Sequence, residues 1–391
     1  MLASLIALGA LGVDAMLPAL PDIGKDFGIS NANALQWIIA AYFLGSGAGQ
    51  LVFGSLSDWL GRKPVLLGGT IIYVSLMLVS ALVHSLTVLI FLRALQGFSA
   101  SSSNVVTRSI VRDLYSGAKM AKVLSISFMI FLAVPILAPS FGQIILTVLP
   151  WQAIFLILAG IGTAVSIWTF LHMPETRPLT LRHRPDLAHM RRVALFVLTD
   201  RVSVYYTLAV SFLVATLLSY VSLMPQIFHD CFRRPALMAP IFAACAATMG
   251  AGALLNASLV ERLGSRRISH IALTSFVVLT FIHFIWAIAG YETLISFLIL
   301  QALTMGCMSL TTSNFGAISM ENVGHIAGSA ASIQGVITTV GGSILGGLVG
   351  QAWHGQVSLL PLGACLCGTA ALVLVAFGEK GRLYRGLKTA S

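Results

Sequence analysis

Gly54-Ser-Leu-Ser-Asp-Trp-Leu-Gly-Arg-Lys-Pro64 is a short polar break between two long apolar runs, 35–56 and 65–84. Each run is long enough, at about 20 residues, to cross roughly 30 Å of hydrocarbon as a helix. Gly54 and Gly61 permit close packing and a tight turn, and Asp58 can face the positive N-terminal end of a neighbouring helix.

The same alternation of apolar run and polar break covers the whole chain. The runs are 2–20, 35–56, 65–84, 86–108, 123–148, 151–172, 202–225, 238–260, 268–289, 292–316, 326–351 and 357–378. Of 391 residues 57% are hydrophobic and 9% charged, with mean hydropathy +0.93. A soluble domain carries about 25% charged residues and could not cover so much apolar surface. No ten-residue strand alternation competes, so the expected fold is an all-α membrane protein of about 12 transmembrane helices.

The formal charge of +10 reflects topology. With an even number of spans both termini share one side, and that side holds 19 of the 23 Lys and Arg against three (Lys25, Arg233, Arg234) on the other. Arg93 lies inside a span. The positive-inside rule makes the basic side cytoplasmic, and no nucleic-acid partner is implied. The first run has no basic stretch before it and ends in Pro18-Ala-Leu-Pro21 instead of a cleavage site, so it is expected to stay as a helix. The five cysteines lack metal-ligand spacing; neither a disulfide nor a metal is expected.

The expected domains are an N-terminal six-helix bundle (1–172), a cytoplasmic linker rich in Pro, Arg and His (173–200), a C-terminal six-helix bundle (201–378) and a basic cytoplasmic tail (379–391). The halves repeat. Gly54 to Lys63 corresponds to Ala257 to Arg266, pairing Asp58 with Glu261 and Gly61 with Gly264; further on, Arg93 aligns with Gln301 and Asp113 with Glu321. Many secondary transporters are built from such duplicated halves, with substrate bound between them near the midplane.

The break at 54–64 resembles the loop 2-3 signature of the major facilitator superfamily. Asp14-Ala-Met-Leu-Pro-Ala-Leu-Pro21, Leu92-Arg-Ala-Leu-Gln-Gly97, Pro135-Ile-Leu-Ala-Pro-Ser-Phe-Gly142 and Pro174-Glu-Thr-Arg-Pro178 narrow the resemblance to the bicyclomycin/chloramphenicol-resistance subfamily of drug:proton antiporters. The detailed match covers about 1–178. The resemblance implies two pseudo-symmetric bundles in a bacterial inner membrane, alternating access, and no cofactor beyond H+ as coupling ion. It also implies a cytoplasmic gate built on Gly54, Asp58, Gly61, Arg62 and Lys63, with Arg112 as partner. Trp59 and Ser55 depart from the usual residues, which implies a gate held by fewer charge contacts.

Asp14 is the one acid these spans place within hydrocarbon, where an unpaired carboxylate costs several kcal/mol and is functional by default. Asp14 and Arg93 both sit roughly 10 Å deep at 1.5 Å per residue, so an ion pair is within reach. Burial and a nearby guanidinium act on a carboxylate's proton in opposite senses, so a change of distance or hydration makes a proton switch. The same pair could instead only lock spans 1 and 4 together. His283 is a remote candidate for a second proton site, or a packed histidine.

Arg93, Gly97, Ala100 and Asn104 share one face of span 4, and Gln301, Met305, Met308 and Thr312 one face of span 10. With Tyr42, Gln96, Asn314 and Gln334 they are expected to line an apolar, repackable cavity; ordinary helix packing gives the same spacing. Pro135, Pro139 and Gly142 weaken one turn of span 5 and allow a kink, whose antiporter meaning comes from the resemblance alone.

The function expected is proton-coupled efflux of small apolar or monocationic drugs by a monomer. The alternatives are a proton-linked exporter of one metabolite, such as a sugar, amino acid, nucleoside or siderophore, and a sensor that binds ligand without moving it. An enzyme is excluded by the lack of a nucleophile-base set or metal-ligand helix, and ATP drive by the lack of a phosphate loop.

Overall fold

The computed structural model describes residues 1–29, 31–115, 134, 137–182, 187–323 and 326–384. The described residues are helical and contain no strand. The helices are α1 (Leu2–Asp14), α2 (Leu20–Asp26), α3 (Ala32–Leu60), α4 (Arg62–Ser80), α5 (Leu86–Leu114), α6 (Leu137–Leu146) and α7 (Gln152–His172). They continue with α8 (Leu187–Thr199), α9 (Arg201–Gln226), α10 (Met238–Leu263), α11 (Ser265–Ile288), α12 (Leu294–Ser319), α13 (Ala327–Gln351) and α14 (Leu359–Gly378).

Among the described residues ten segments are long and apolar enough to cross a membrane, against the twelve runs of the sequence. Span 4 forms α5, whose buried Arg93, Gln96, Ser99 and Ser101 to Ser103 dilute its hydropathy. Half of span 5, including Pro135, lies outside the described residues, which include its α6. Large apolar side chains turn outward on the long helices, among them Ile71, Phe91, Phe170, Leu254, Ile282 and Leu366, as a lipid-facing surface requires.

The run 2–20 is not one helix. α1 stops at Asp14, a 3-10 turn covers Leu17–Ala19, and α2 restarts at Leu20. Pro18 and Pro21 cause the break, because neither can donate to the i−4 ladder and each ring clashes with the carbonyl one turn back. Between α3 and α4, Gly61 adopts φ 108°, a left-handed conformation that suits glycine, and Gly264 does the same (φ 80°) between α10 and α11.

The chain forms two compact units, Met1–Leu187 and Ala188–Ser391. In the first, α3 and α5 approach so closely that a Cβ at Gly45 would overlap the Ala94 carbonyl and one at Gly97 that of Tyr42. The expected linker is divided between the units by packing. Met173 joins Leu5, Phe53, Leu66 and Ile110 in a core of the first, whereas Val193 and Val197 of α8 pack on Val323, Ala330 and Ile333 in the second.

Candidate functional site

Asp14 ends α1 at the break, its side chain buried, with no hydrogen bond or ion pair among the described residues. Arg93 of α5 is fully buried and does not reach it. Its Nη1 donates to Gln96 Oε1 at 2.8 Å, its Nε to the Ile38 carbonyl at 3.5 Å, and its Cζ lies 4.6 Å from the centre of the Tyr42 ring, a cation–π contact. Arg93 Nη2 has no partner. Tyr42 interacts electrostatically with both Asp14 and Arg93, and its hydroxyl donates to the Gly9 carbonyl at 2.9 Å. The ion pair suggested by equal depth is therefore not formed here: the tyrosine ring and Gln96 hold the guanidinium instead.

Several expected cavity residues are spent on packing. Gln96 Nε2 donates to Ser80 Oγ (2.7 Å) and to the Leu76 carbonyl (3.1 Å), tying α5 to α4. Gly97 is the close approach to α3 described above, and a Cβ at Gly9 would lie 3.7 Å from Ala100 and 3.8 Å from Asn104. This face of α5 thus packs on α1 and α3. Gly142 of α6 approaches the break itself, since a Cβ there would overlap the Ala15 carbonyl and come within 3.1 Å of Pro18. Pro139 lies on the same short helix.

In the second unit, Gln301, Met305 and Met308 are buried on α12, and half-buried Thr312 donates to the Met308 carbonyl at 2.8 Å. Asn314 Nδ2 donates to Asn256 Oδ1 of α10 at 2.5 Å. Gln334 Nε2 donates to Ser203 Oγ (2.8 Å) and the Ser319 carbonyl (2.9 Å), joining α13 to α9 and α12. Asn314 and Gln334 are bridges between helices, because a buried amide must spend its donors on neighbours.

The gate motif is held differently from expectation. Arg62 is 1% exposed and makes three contacts: Nη2 to Asp58 at 2.8 Å, Nε to Asp113 at 2.9 Å, and Nη1 to Ser57 Oγ at 2.7 Å. Asp58 is also 3.8 Å from Arg177. Arg112 is exposed and forms no ion pair among the described residues, whereas Asp113 beside it takes the Arg62 guanidinium. Nor does Asp58 cap a helix in this unit; Glu175 does, accepting from the backbone N–H of Arg62 (2.9 Å) and Lys63 (3.3 Å) at the start of α4. Lys63 Nζ donates to the Phe170 carbonyl at 2.8 Å. Glu175 further pairs with Arg182 at 3.4 Å.

The second unit repeats this arrangement. Arg266 at the start of α11 pairs with Glu321 (2.6 Å) and Glu379 (2.8 Å), and Glu379 also accepts from the Tyr206 hydroxyl at 2.9 Å. Ser57, Glu175, Arg177, Arg266 and Glu379, which join these contacts, were not among the residues expected there from the sequence. The alignment of Asp113 with Glu321 held the signal, as did the acid inside Pro174-Glu-Thr-Arg-Pro178.

Two units of long apolar helices, each with an arginine–carboxylate network beside a helix–helix turn, describe a multi-pass membrane protein. The sequence profile of the Major Facilitator Superfamily matches residues 2–351, and the chain belongs to that family. It is 30% identical to the Bacillus subtilis (strain 168) protein named "Uncharacterized MFS-type transporter YdgK", over 96% of this chain and 93% of the relative. It is 28% identical to the "Bicyclomycin resistance protein homolog" of Haemophilus influenzae, over 92% and 90% of the two chains. The fold matches the crystal structure of a D-xylose-proton symporter with TM-score 0.77 at 14% identity, over 98% of both chains.

Proposed function

We propose that this transporter exports small apolar or monocationic molecules, drugs among them, in exchange for protons. One observation carries the reading: the Asp14 carboxylate is buried where α1 breaks, with no hydrogen bond or ion pair among the described residues. A buried acid with no fixed counter-charge takes up or releases a proton as its surroundings change, which is what coupling requires. The name of the Haemophilus relative supports drugs as cargo.

In this reading the halves alternate access across a bacterial inner membrane, the basic loops and both termini face the cytoplasm, and H+ is the coupling ion of a monomer. Asp14 is protonated from outside and deprotonated inside.

The test places purified protein in liposomes with a pH-sensitive dye inside, imposes a proton gradient and adds chloramphenicol-like and cationic drugs. Drug-stimulated proton flux is expected from the wild type and not from Asp14→Asn. Flux that survives the substitution moves the proton elsewhere, and no flux with any drug overturns drug antiport.

A further inference from the structure

A second pair of buried ionisable groups lies in the C-terminal half, at the end of α11 away from Arg266. His283 Nε2 faces Glu292 Oε1 at 3.4 Å, with the side chains 1% and 8% exposed. Both sides are incompletely satisfied: His283 Nε2 and Glu292 Oε2 have no hydrogen-bond partner. Buried polar atoms are normally paired, and an orphan nitrogen facing an incompletely paired carboxylate marks a place where a proton is wanted.

The surroundings are apolar. The Phe297 ring is 5.8 Å from the imidazole, and Phe228 and Phe232 pack on Phe297 at 6.0 and 5.5 Å. Glu292 is held in place by the start of α12: Ser296 Oγ donates to Glu292 Oε1 at 3.2 Å, and Thr293 and Ser296 cap the helix reciprocally. The positive end of α12 offsets part of the carboxylate's charge.

Among the described residues the pair has no other ion-pair partner, and Arg233 and Arg234, next to Phe232, are exposed. α12 carries no charged residue along its length and α14 offers only the thiols Cys365 and Cys367. The charged residues of α10, Glu261 and Arg262, lie at its opposite end, as do Arg266, Arg267 and His270 of α11 itself. In the segment bearing Phe228, His229 engages Asp230 at 2.8 Å, and Asp230 also accepts from Trp353.

We propose that His283 and Glu292 together form a proton-binding site, separate from Asp14, that takes one proton shared between imidazole and carboxylate. With a neutral imidazole and an ionised carboxylate the pair carries a net negative charge inside an aromatic shell. One added proton removes that net charge and supplies the missing hydrogen bond between the two groups. Because the proton is held between the two groups, removing either one removes the site. The use of this site in transport rests on the proton coupling proposed above; its binding of a proton does not.

The test is a potentiometric difference titration of the full-length protein in detergent between ~pH 8 and ~pH 5. Wild type is compared with His283→Gln, Glu292→Gln and the double variant. Each single substitution is expected to remove the same proton, and the double variant no more than either. Two separate, additive losses, or no loss at all, overturn the site.

A second measurement guards against variants that do not fold. Infrared difference spectra of Asp14→Asn protein carrying isotope-labelled histidine are recorded as pH is stepped, with both members of the pair intact. Carboxyl and imidazole bands are expected to change at one common midpoint, and distinct midpoints or a silent imidazole overturn the proposal. Failure of drug-stimulated flux in liposomes leaves both results readable, so the two readings fail separately.

Discussion

The Glu175 carboxylate sits on the first turn of the helix that Arg62 begins, accepting the Arg62 backbone N–H at 2.9 Å while the Arg62 side chain turns away to two other acids. One residue therefore joins three segments: the chain after α7 through its amide, and the ends of α3 and α5 through its guanidinium.

Glu175→Ala removes the cap of α4 and leaves the amides of Arg62 and Lys63 without their acceptor. A loss of about 1–2 kcal/mol is expected. Glu175→Gln, which keeps an acceptor oxygen but not the charge, should lose less. Denaturant unfolding in detergent measures both; Glu175→Ala as stable as the wild type would show that the cap contributes nothing.

Asp113 and Arg112 are neighbours with opposite expected effects. Asp113→Asn strips a buried guanidinium of a charge partner, a change expected to cost on the order of 3 kcal/mol. Arg112→Ala removes an exposed side chain with no ion pair and is expected to stay within about 0.5 kcal/mol of wild type. Thermal melts of the two proteins rank them, and the reverse order would restore Arg112 to the gate.

That reversal shows where sequence reading stops. Hydropathy and the position of Gly54 to Pro64 made the helical architecture legible, because a span must be long and apolar whatever it packs on. The gate's acids were harder, since Glu175 lies 113 residues from Arg62 and only folding brings them together. Depth along a helix placed Asp14 and Arg93 on one level, but depth says nothing about the ring of Tyr42, which takes the guanidinium. Small and amide residues are ambiguous by nature: Gly97, Gln96 and Gln334 fit a cavity wall and a helix contact equally well, and the structure uses them as contacts.

Gly97→Ala tests one such contact. The new methyl would overlap the Tyr42 carbonyl and force α3 and α5 apart, at an expected cost of about 1–3 kcal/mol. Gly160→Ala is the control, since a Cβ there meets nothing within 4 Å, and should fall within about 0.5 kcal/mol of wild type. Equal stability of the two variants would show that the helices relax without cost.

Tyr42 gives the sharpest test of the proposed coupling through Asp14. Tyr42→Phe keeps the ring over Arg93 and loses the hydrogen bond to Gly9, about 1 kcal/mol of stability, while the charges stay apart and drug-stimulated proton flux persists. Tyr42→Leu removes the aromatic face that holds the guanidinium. Arg93, with an unused N–H, is then free to turn to Asp14, which has no partner of its own. A closed pair fixes the carboxylate in its charged form, so flux in liposomes should fall by roughly an order of magnitude, about 1.4 kcal/mol in the coupling equilibrium. Wild-type flux from Tyr42→Leu would mean that the ring does not keep Asp14 and Arg93 apart.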